Sequence, residues 1–381
     1  MSIFLIFAIG MFLFTLVKKL RERSGDSRSG GAGVLSTTDR WVRDSFVPSA
    51  YGLVPFEALD TGRAGPPPSP QRVGEMQAVA DAAWAGDWRR AAAYVAAAGE
   101  DWDERWSRTE LLQQIANQDD SWLTAWRAAE PANGDAGTLY AALLVHRAWE
   151  IRGSEYAHKV PAERMRQFKE MLPAGMAAAS KAAEADPANP GPWVVMITTA
   201  RALSYTHGQF ENLWAGLTAR APHHYDGHWQ ALQYWCGKWH GSDRAMLEFA
   251  ERAVNAAPVG SPLAGMYLHA LTELDSRGGT GAAKARKSVP VLTEVARSLA
   301  RVDDAHTALP RLRHLLAHYL LEAGLKDLAL EQFRRIGPWC GAHPWDDADD
   351  PAVAFNRARG RAAKDAVPLE RGKGDATAMR L

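Results

Sequence analysis

Hydrophobic and polar positions alternate on several scales along this chain. Residues 1–17 (MSIFLIFAIGMFLFTLV) contain no charged side chain, and Lys18, Lys19, Arg21 and Arg23 follow at once. At 1.5 Å rise per residue such a run reaches about 25 Å, the short end of what crosses a bilayer. A cleaved export signal carries positive charge ahead of its apolar stretch and small residues at a cleavage site, and this segment has neither. Within residues 18–28 the basic side chains, Arg28 included, outnumber Glu22 and Asp26 for a net charge of +3. A basic flank of this kind stays on the cytoplasmic side. The pattern therefore predicts a single-pass anchor over 1–17 in the cell membrane, with the N-terminus outside and the body in the cytoplasm. Only two cysteines, Cys236 and Cys340, are present, which suits a reducing compartment.

Polar and small residues dominate the next stretch. Residues 24–40 (SGDSRSGGAGVLSTTDR) read as a flexible tether. The Gly30-Gly31-Ala32-Gly33 cluster lacks the preceding strand and following Lys-Ser/Thr of a phosphate loop, so linker is the better reading. Residues 41–59 are apolar enough to dock on the body as an extended arm, and Pro48 and Pro55 argue against a regular helix there. Gly65 to Pro70 (GPPPSP) makes a stiff polyproline spacer. Residues 18–70 are thus collar, linker, arm and spacer, and a helical body is expected over 71–336.

In that body apolar residues return with helical period and no run reads as a strand. Gly86-Asp87-Trp88-Arg89-Arg90-Ala91 sets a glycine turn five positions before a small residue, and Gly324 to Ala329 (GLKDLA) repeats the spacing. Pro187, Pro222 and Pro258 recur at intervals of 35 and 36. These features resemble tetratricopeptide repeats (TPR), helix pairs of about 34 residues with a glycine between the helices. The expected fold is all-α, a TPR-like α-solenoid of divergent helix pairs. Trp84/Trp88, Trp102/Trp106, Trp122/Trp126 and Trp235/Trp239 all stand four apart, so within a helix each pair would share one face, best read as packing. Together with their flanks (DWDERW, DDSWLTAWR, ALQYWCGKW) they resemble an uncharacterised domain-of-unknown-function family of GC-rich, actinomycete-type bacteria with a TPR-like helical body. The resemblance covers about residues 75–340 and implies a fold but no site. Beyond Ile336 the chain turns Gly- and Pro-rich. Residues 337–381 are expected to form a cap through Trp339 and Trp345, a short basic helix over 352–363, and a largely disordered tail.

Charge and composition narrow the function. Basic and acidic side chains balance at 44 each, which argues against a nucleic-acid binder that works by broad phosphate neutralisation. Two scattered cysteines make neither a disulfide framework nor a thiolate zinc site. Four clusters bear on chemistry. His223, His224 and His228 are the candidate metal ligands: His224 and His228 would point to one side of a helix, with Asp226 or His207 as a further ligand. Tyr225, however, stands where a zinc protease has its Glu, and a polar turn leading into a helix explains the cluster as well. His314 and His318 repeat the spacing on an apolar helix and read as structural. Asp346-Asp347-Ala348-Asp349-Asp350 reads as a solvated acidic turn, and Glu100, Asp101, Asp103 and Glu104 as helix capping. No catalytic motif or cofactor fingerprint is found, so no catalytic residue and no cofactor is assigned. The expected function is a membrane-anchored scaffold or adaptor that binds a partner protein or peptide. The alternatives are an enzyme with a helical cavity, metal-dependent through the His cluster, and a self-associating structural protein.

Overall fold

A computed structural model describes residues 37–153, 159–279 and 281–369. Among these residues the protein is all-helical, with 16 α-helices, short 3-10 turns and no strand; one isolated bridge joins Asp60 and Trp339. No described helix is long and apolar enough to cross a membrane. The anchor expected over 1–17, the collar, most of the linker and the tail beyond 369 lie outside the described residues.

The described chain forms two compact units. The first runs Pro68–Phe249 without interruption. The second joins residues 37–67 to the chain from Ala250 onward, so the boundary falls within the 71–336 stretch.

The first unit begins with α2 (Pro70–Trp84), one residue from the expected start, with Ser69 as N-cap and Pro70 in the first turn. Gly86 takes the left-handed conformation (φ 85°), Asp87 caps α3 (Trp88–Ala96), and Ala91 is fully buried, so the glycine-turn signature means locally what it was read to mean. There follow α4 (Trp102–Gln118), α5 (Ser121–Ala129) and α6 (Gly134–Arg152). Leu112, Ile115, Trp122, Trp126, Leu139 and Leu143 make their common core, and Trp88 stacks on Trp126 at 6.1 Å. The long helix α7 (Ala162–Ala185) packs closely on α6. A Cβ at Gly175 would stand 2.7 Å from Val145 Cγ2, and one at Gly137 2.9 Å from Ala182 Cβ. The unit closes with α8 (Gly191–Ala202), α9 (His207–Thr218), α10 (Tyr225–Trp235) and the first half of α11 (Asp243–Ala256). Two of the four tryptophan pairs do not share a helix: Trp84 ends α2 while Trp88 opens α3, and Trp235 ends α10 while Trp239 lies beyond it.

The second unit holds α12 (Met266–Ser276), α13 (Ser288–Leu299), α14 (Leu309–Glu322), α15 (Lys326–Ile336) and α16 (Pro351–Ala363). Gly324 repeats the left-handed turn (φ 79°) between α14 and α15, and Ala329 is buried behind it. Around α16 winds the arm. It opens with α1 (Thr37–Asp44), a helix placed just ahead of the prolines that were expected to keep this region extended. Val42 lies against Gly360, where any larger residue on α16 would collide. Trp41, Phe46 and Tyr51 form an aromatic cluster with centroids 5.6–6.5 Å apart. The arm's backbone is then pinned step by step. Arg334 Nε donates to Tyr51 O at 2.8 Å, Arg359 Nη1 to Val54 O at 2.9 Å, and Asp60 exchanges hydrogen bonds with Pro338 and Cys340. Trp345 is 6% exposed and sits among His318, Phe333 and Phe355, so it is core rather than cap. The short helix expected over 352–363 is present as α16, though its Arg359 is fully buried rather than part of a basic surface.

Candidate functional site

The richest polar constellation in the first unit is built where α4 meets the N-terminus of α10. Asp101 caps α4 through Glu104 N, as the carboxylate-rich helix start suggested. Asp103, two residues on, does something else: its Oδ1 accepts from Tyr225 N at 2.8 Å, across a separation of 122 residues. The orphan N–H groups at the start of α10 are thus met by a carboxylate from α4 and by the ring of His224.

That ring has a defined proton position. Gly227 N donates to His224 Nδ1 at 3.2 Å, so Nδ1 carries no proton and the neutral imidazole bears its N–H at Nε2. Burial pushes the His224 pKa down to about 3, with His228 lowering it further, so the ring is neutral and its 3.5 Å approach to Asp103 is not an ion pair. Nε2 has no hydrogen-bond partner, although the residue is only 2% exposed. A buried N–H in this position costs free energy of order 1–3 kcal/mol unless something accepts from it. His228 Nδ1 donates to His224 O at 2.9 Å, and its ring packs edge-on against Trp214 at 4.8 Å. Burial lowers its pKa to about 4.

His224 also lines a small, open depression, with room for about one water molecule, between α4, α6 and the turn ahead of α8. Arg105 grips Asp135 with both arms at 2.9 and 2.6 Å, Asn189 Nδ2 donates to Asp135 Oδ1 at 3.2 Å, and Asn189 Oδ1 accepts from Gly191 N. Charge inside the depression is therefore balanced. Trp106 stands over it edge-on to His224 at 6.0 Å, with its own Nε1 outside hydrogen-bond distance of any acceptor.

Beside the depression the charge is not balanced. Glu110, on α4, is reachable by solvent yet desolvated by the protein around it, which pushes its carboxyl up to about 7 despite the pull of the Trp106 N–H dipole. Asp226, half-buried on α10, is held well above the ordinary carboxylate range, by burial first and then by Glu110 and Asp103. Asp103 is pushed up to about 6 by burial, against the Tyr225 N–H that lowers it, with Asp101 adding a rise. Among the described residues, no lysine or arginine figures in the charges that act on these three carboxylates. Arg108, on the neighbouring side of α4, and Arg72 of α2 are both spent on Glu104.

The three candidate metal ligands His223, His224 and His228 share this region, but they do not bring three ligand atoms within 4.8 Å of one another, alone or with Asp226. His207 Nε2 donates instead to His240 O at 2.8 Å. Among the described residues the one such group is His343, Asp346 and Asp347, with His343 Nδ1 2.9 Å from Asp347 Oδ2. Asp346 and Asp347 lie on the 3-10 turn Trp345–Asp347 at the start of the acidic run, His343 stands just ahead of it, and Asp350 caps α16. His314 and His318 lie on α14 within the second unit. His314 is fully hydrogen-bonded and His318 packs edge-on against Tyr319 at 4.8 Å.

Glu110 carries no signal in the sequence, and Trp106 stands out there only as half of a packing pair, because α4 and α10 are distant along the chain. The usable signals were His224 and Asp226 inside the histidine-rich turn and Asp103 in the acidic helix start. No protein-family profile, curated protein or solved structure matches this chain, and the site has to be read from its own residues.

Proposed function

We propose that this protein is a scaffold or adaptor, a helical body held at the cell membrane that binds a segment of a partner protein or peptide on the α4–α10 face of its first unit. One observation carries the reading. That face presents accessible carboxylates with no basic partner beside a buried N–H donor with no acceptor, charge and donor capacity beyond what Asp103 and His224 spend on capping α10. Polar groups left unsatisfied inside a protein are costly, and a partner that completes them gains what the free protein lacks. The divergent helix pairs around Gly86 and Gly324 support a TPR-like frame, an architecture that displays binding faces. The apolar run 1–17 and its basic collar support the membrane attachment, with the body on the cytoplasmic side. Confinement there raises the effective concentration toward other membrane-associated proteins.

A photo-reactive phenylalanine at Ser107, which α4 places between Asp103 and Glu110, tests the binding face in intact cells. A discrete adduct at position 107, absent from the same probe at exposed Glu163 on α7, is the expected result; identical patterns at both positions would refute it. For the attachment, alkaline carbonate washes should leave the full chain in the membrane fraction, and release by the wash would remove the anchor.

A second reading has one specific support. A carboxyl near 7 beside another held high is suited to general acid–base work, so a helical enzyme would use Glu110 and Asp226. Loss of a newly found activity in Glu110→Gln, with the Ser107 adduct unchanged, would favour it.

A further inference from the structure

We infer that the partner segment presents a cationic side chain, lysine or arginine, to Asp103, Glu110 and Asp226, while a backbone carbonyl beside it accepts from His224 Nε2. The inference rests on the peptide-binding reading and names the chemistry that the site selects.

Charge complementarity is the first ground. Three carboxylates meet at one face, and the charges acting on them are acidic: Asp101 on Asp103, and Glu110 and Asp103 on Asp226. Elsewhere in this unit accessible carboxylates find cations or neutral donors: Glu104 takes Arg72 and Arg108, Asp120 takes Arg147, and Asp119 and Glu130 take neighbouring Ser121, Trp126 and Asn133. The α4–α10 face is left without one. Glu110 is open to solvent and the Asp103 side chain is 30% exposed, so a side chain arriving from outside can reach them. Aromatic rings also border the site, Trp106 from α4 and Tyr225 from α10, and aromatic faces favour cations.

The second ground is independent of charge. His224 is nine-tenths buried, its Nδ1 is occupied by Gly227 N, and its Nε2–H is left over. The ring lines the depression whose other polar groups, the Trp106 Nε1–H apart, are already engaged: Arg105 with Asp135, Asn189 with Asp135 and Gly191, Thr138 with Gly134 O and Thr109 with Arg105 O. What the depression lacks is an acceptor for the His224 and Trp106 N–H groups. An anion would face the nearby carboxylates, so the fitting acceptor is neutral, and a peptide carbonyl next to a cationic residue supplies it. A free amine would satisfy the carboxylates and leave the His224 N–H unmet.

The test uses the full-length protein in detergent micelles, labelled with 5-fluorotryptophan, with the Trp106 fluorine resonance assigned through Trp106→Phe. Three probes are titrated: N-acetyl-lysine N-methylamide, its uncharged norleucine counterpart, and 1-aminopentane. The Trp106 resonance should shift saturably with the lysine probe, with a dissociation constant on the order of 1 mM for a ligand so small. The norleucine probe and 1-aminopentane should each bind at least tenfold more weakly. The paired Glu110→Gln and Asp226→Asn change should weaken the lysine probe at least tenfold. His224→Phe, which keeps the ring and removes the donor, should weaken the lysine probe about threefold or more without altering 1-aminopentane. Equal binding of lysine and norleucine probes would overturn the cationic assignment while leaving the peptide-binding reading in place. Binding of 1-aminopentane as tight as the lysine probe would overturn the carbonyl's role. No shift with any probe would overturn the whole inference, and the Ser107 adduct would then decide separately whether a partner docks there.

Discussion

Each unit carries a pair of histidines four residues apart, and the two pairs have opposite fates. In the second unit His314 is fully buried and fully satisfied: Trp345 Nε1 donates to its Nδ1 at 2.9 Å, and its Nε2 donates to Ala64 O at 2.9 Å. In the first unit His224 holds its proton at the same ring position, for the same reason, and has nothing to give it to. Spacing, burial and tautomer agree, yet one ring is a fastener and the other keeps a buried N–H with no acceptor. What separates them is whether the rest of the chain supplies the last acceptor. Candidate sites are better found by following hydrogen bonds to their end than by residue spacing.

The largest effect expected from this contrast is at His314. His314→Ala removes the acceptor of one buried indole and the donor to one buried carbonyl and opens a cavity. It should cost about 3–4 kcal/mol, read as a lowered transition in calorimetry. A loss below about 1 kcal/mol would mean that the latch is not the fastener described. Burial holds the His314 pKa down at about 4, against an ordinary 6.5. The unfolded chain takes up this proton first, so that stability falls as pH drops from 6.5 toward 4 and the His314→Ala protein loses that part of the acid sensitivity.

Next in size is the arm that His314 helps to hold. Gly341 N donates to Arg63 O at 2.8 Å, and a Cβ at Gly341 would meet Thr61 O and Arg63 N. Gly341→Ala should cost about 2–3 kcal/mol and expose residues 48–64 to limited proteolysis. An arm equally resistant in this variant would show that pinning by neighbouring contacts suffices.

His224→Phe should be milder for stability than His314→Ala, about 1–2 kcal/mol, because only the cap to Gly227 N is lost. If His224 proved as costly as His314, the two rings would be doing the same job and the contrast would fail.

The smallest effect is at Glu110. Its folded value of about 7 lies above the ordinary 4.5, so the unfolded chain releases this proton first and stability declines as pH rises from about 4.5 to 7. Glu110→Gln should therefore change little at pH 4.5 and stabilise the protein at pH 8. The gain is about 1 kcal/mol at most, since water reaches the group and screens it.

Much of the helical frame was legible in the sequence because its signals are local. Gly86 and Gly324 turn where glycine permits, Asp87 and Asp101 cap the helices they precede, and Pro70 opens α2. The arm was legible as apolar, but the helix at its start was hidden by prolines that lie beyond it. The site was visible only in pieces. His224 and Asp226 stood out as part of a histidine-rich turn, and Asp103 as part of an acidic helix start. Their meeting depends on a 122-residue separation that no periodicity encodes. Glu110 carried no signal and Trp106 only that of a packing pair, because a carboxylate and an indole on a helix face are ordinary until a distant helix lands beside them.

The way the arm is pinned has a consequence for the order of events at synthesis. Ala64, Tyr51 and Val54 leave the ribosome early, yet the side chains that bond their carbonyls lie 250, 283 and 305 residues further on. The first unit is an unbroken stretch and can close as soon as Phe249 is clear, whereas the second must wait for nearly the whole chain. Contacts so distant in sequence are slow to form and leave apolar surface waiting for its cover. Trp41, Phe46 and Tyr51 are that surface here, and the nascent protein has to hold them out of trouble until α16 arrives.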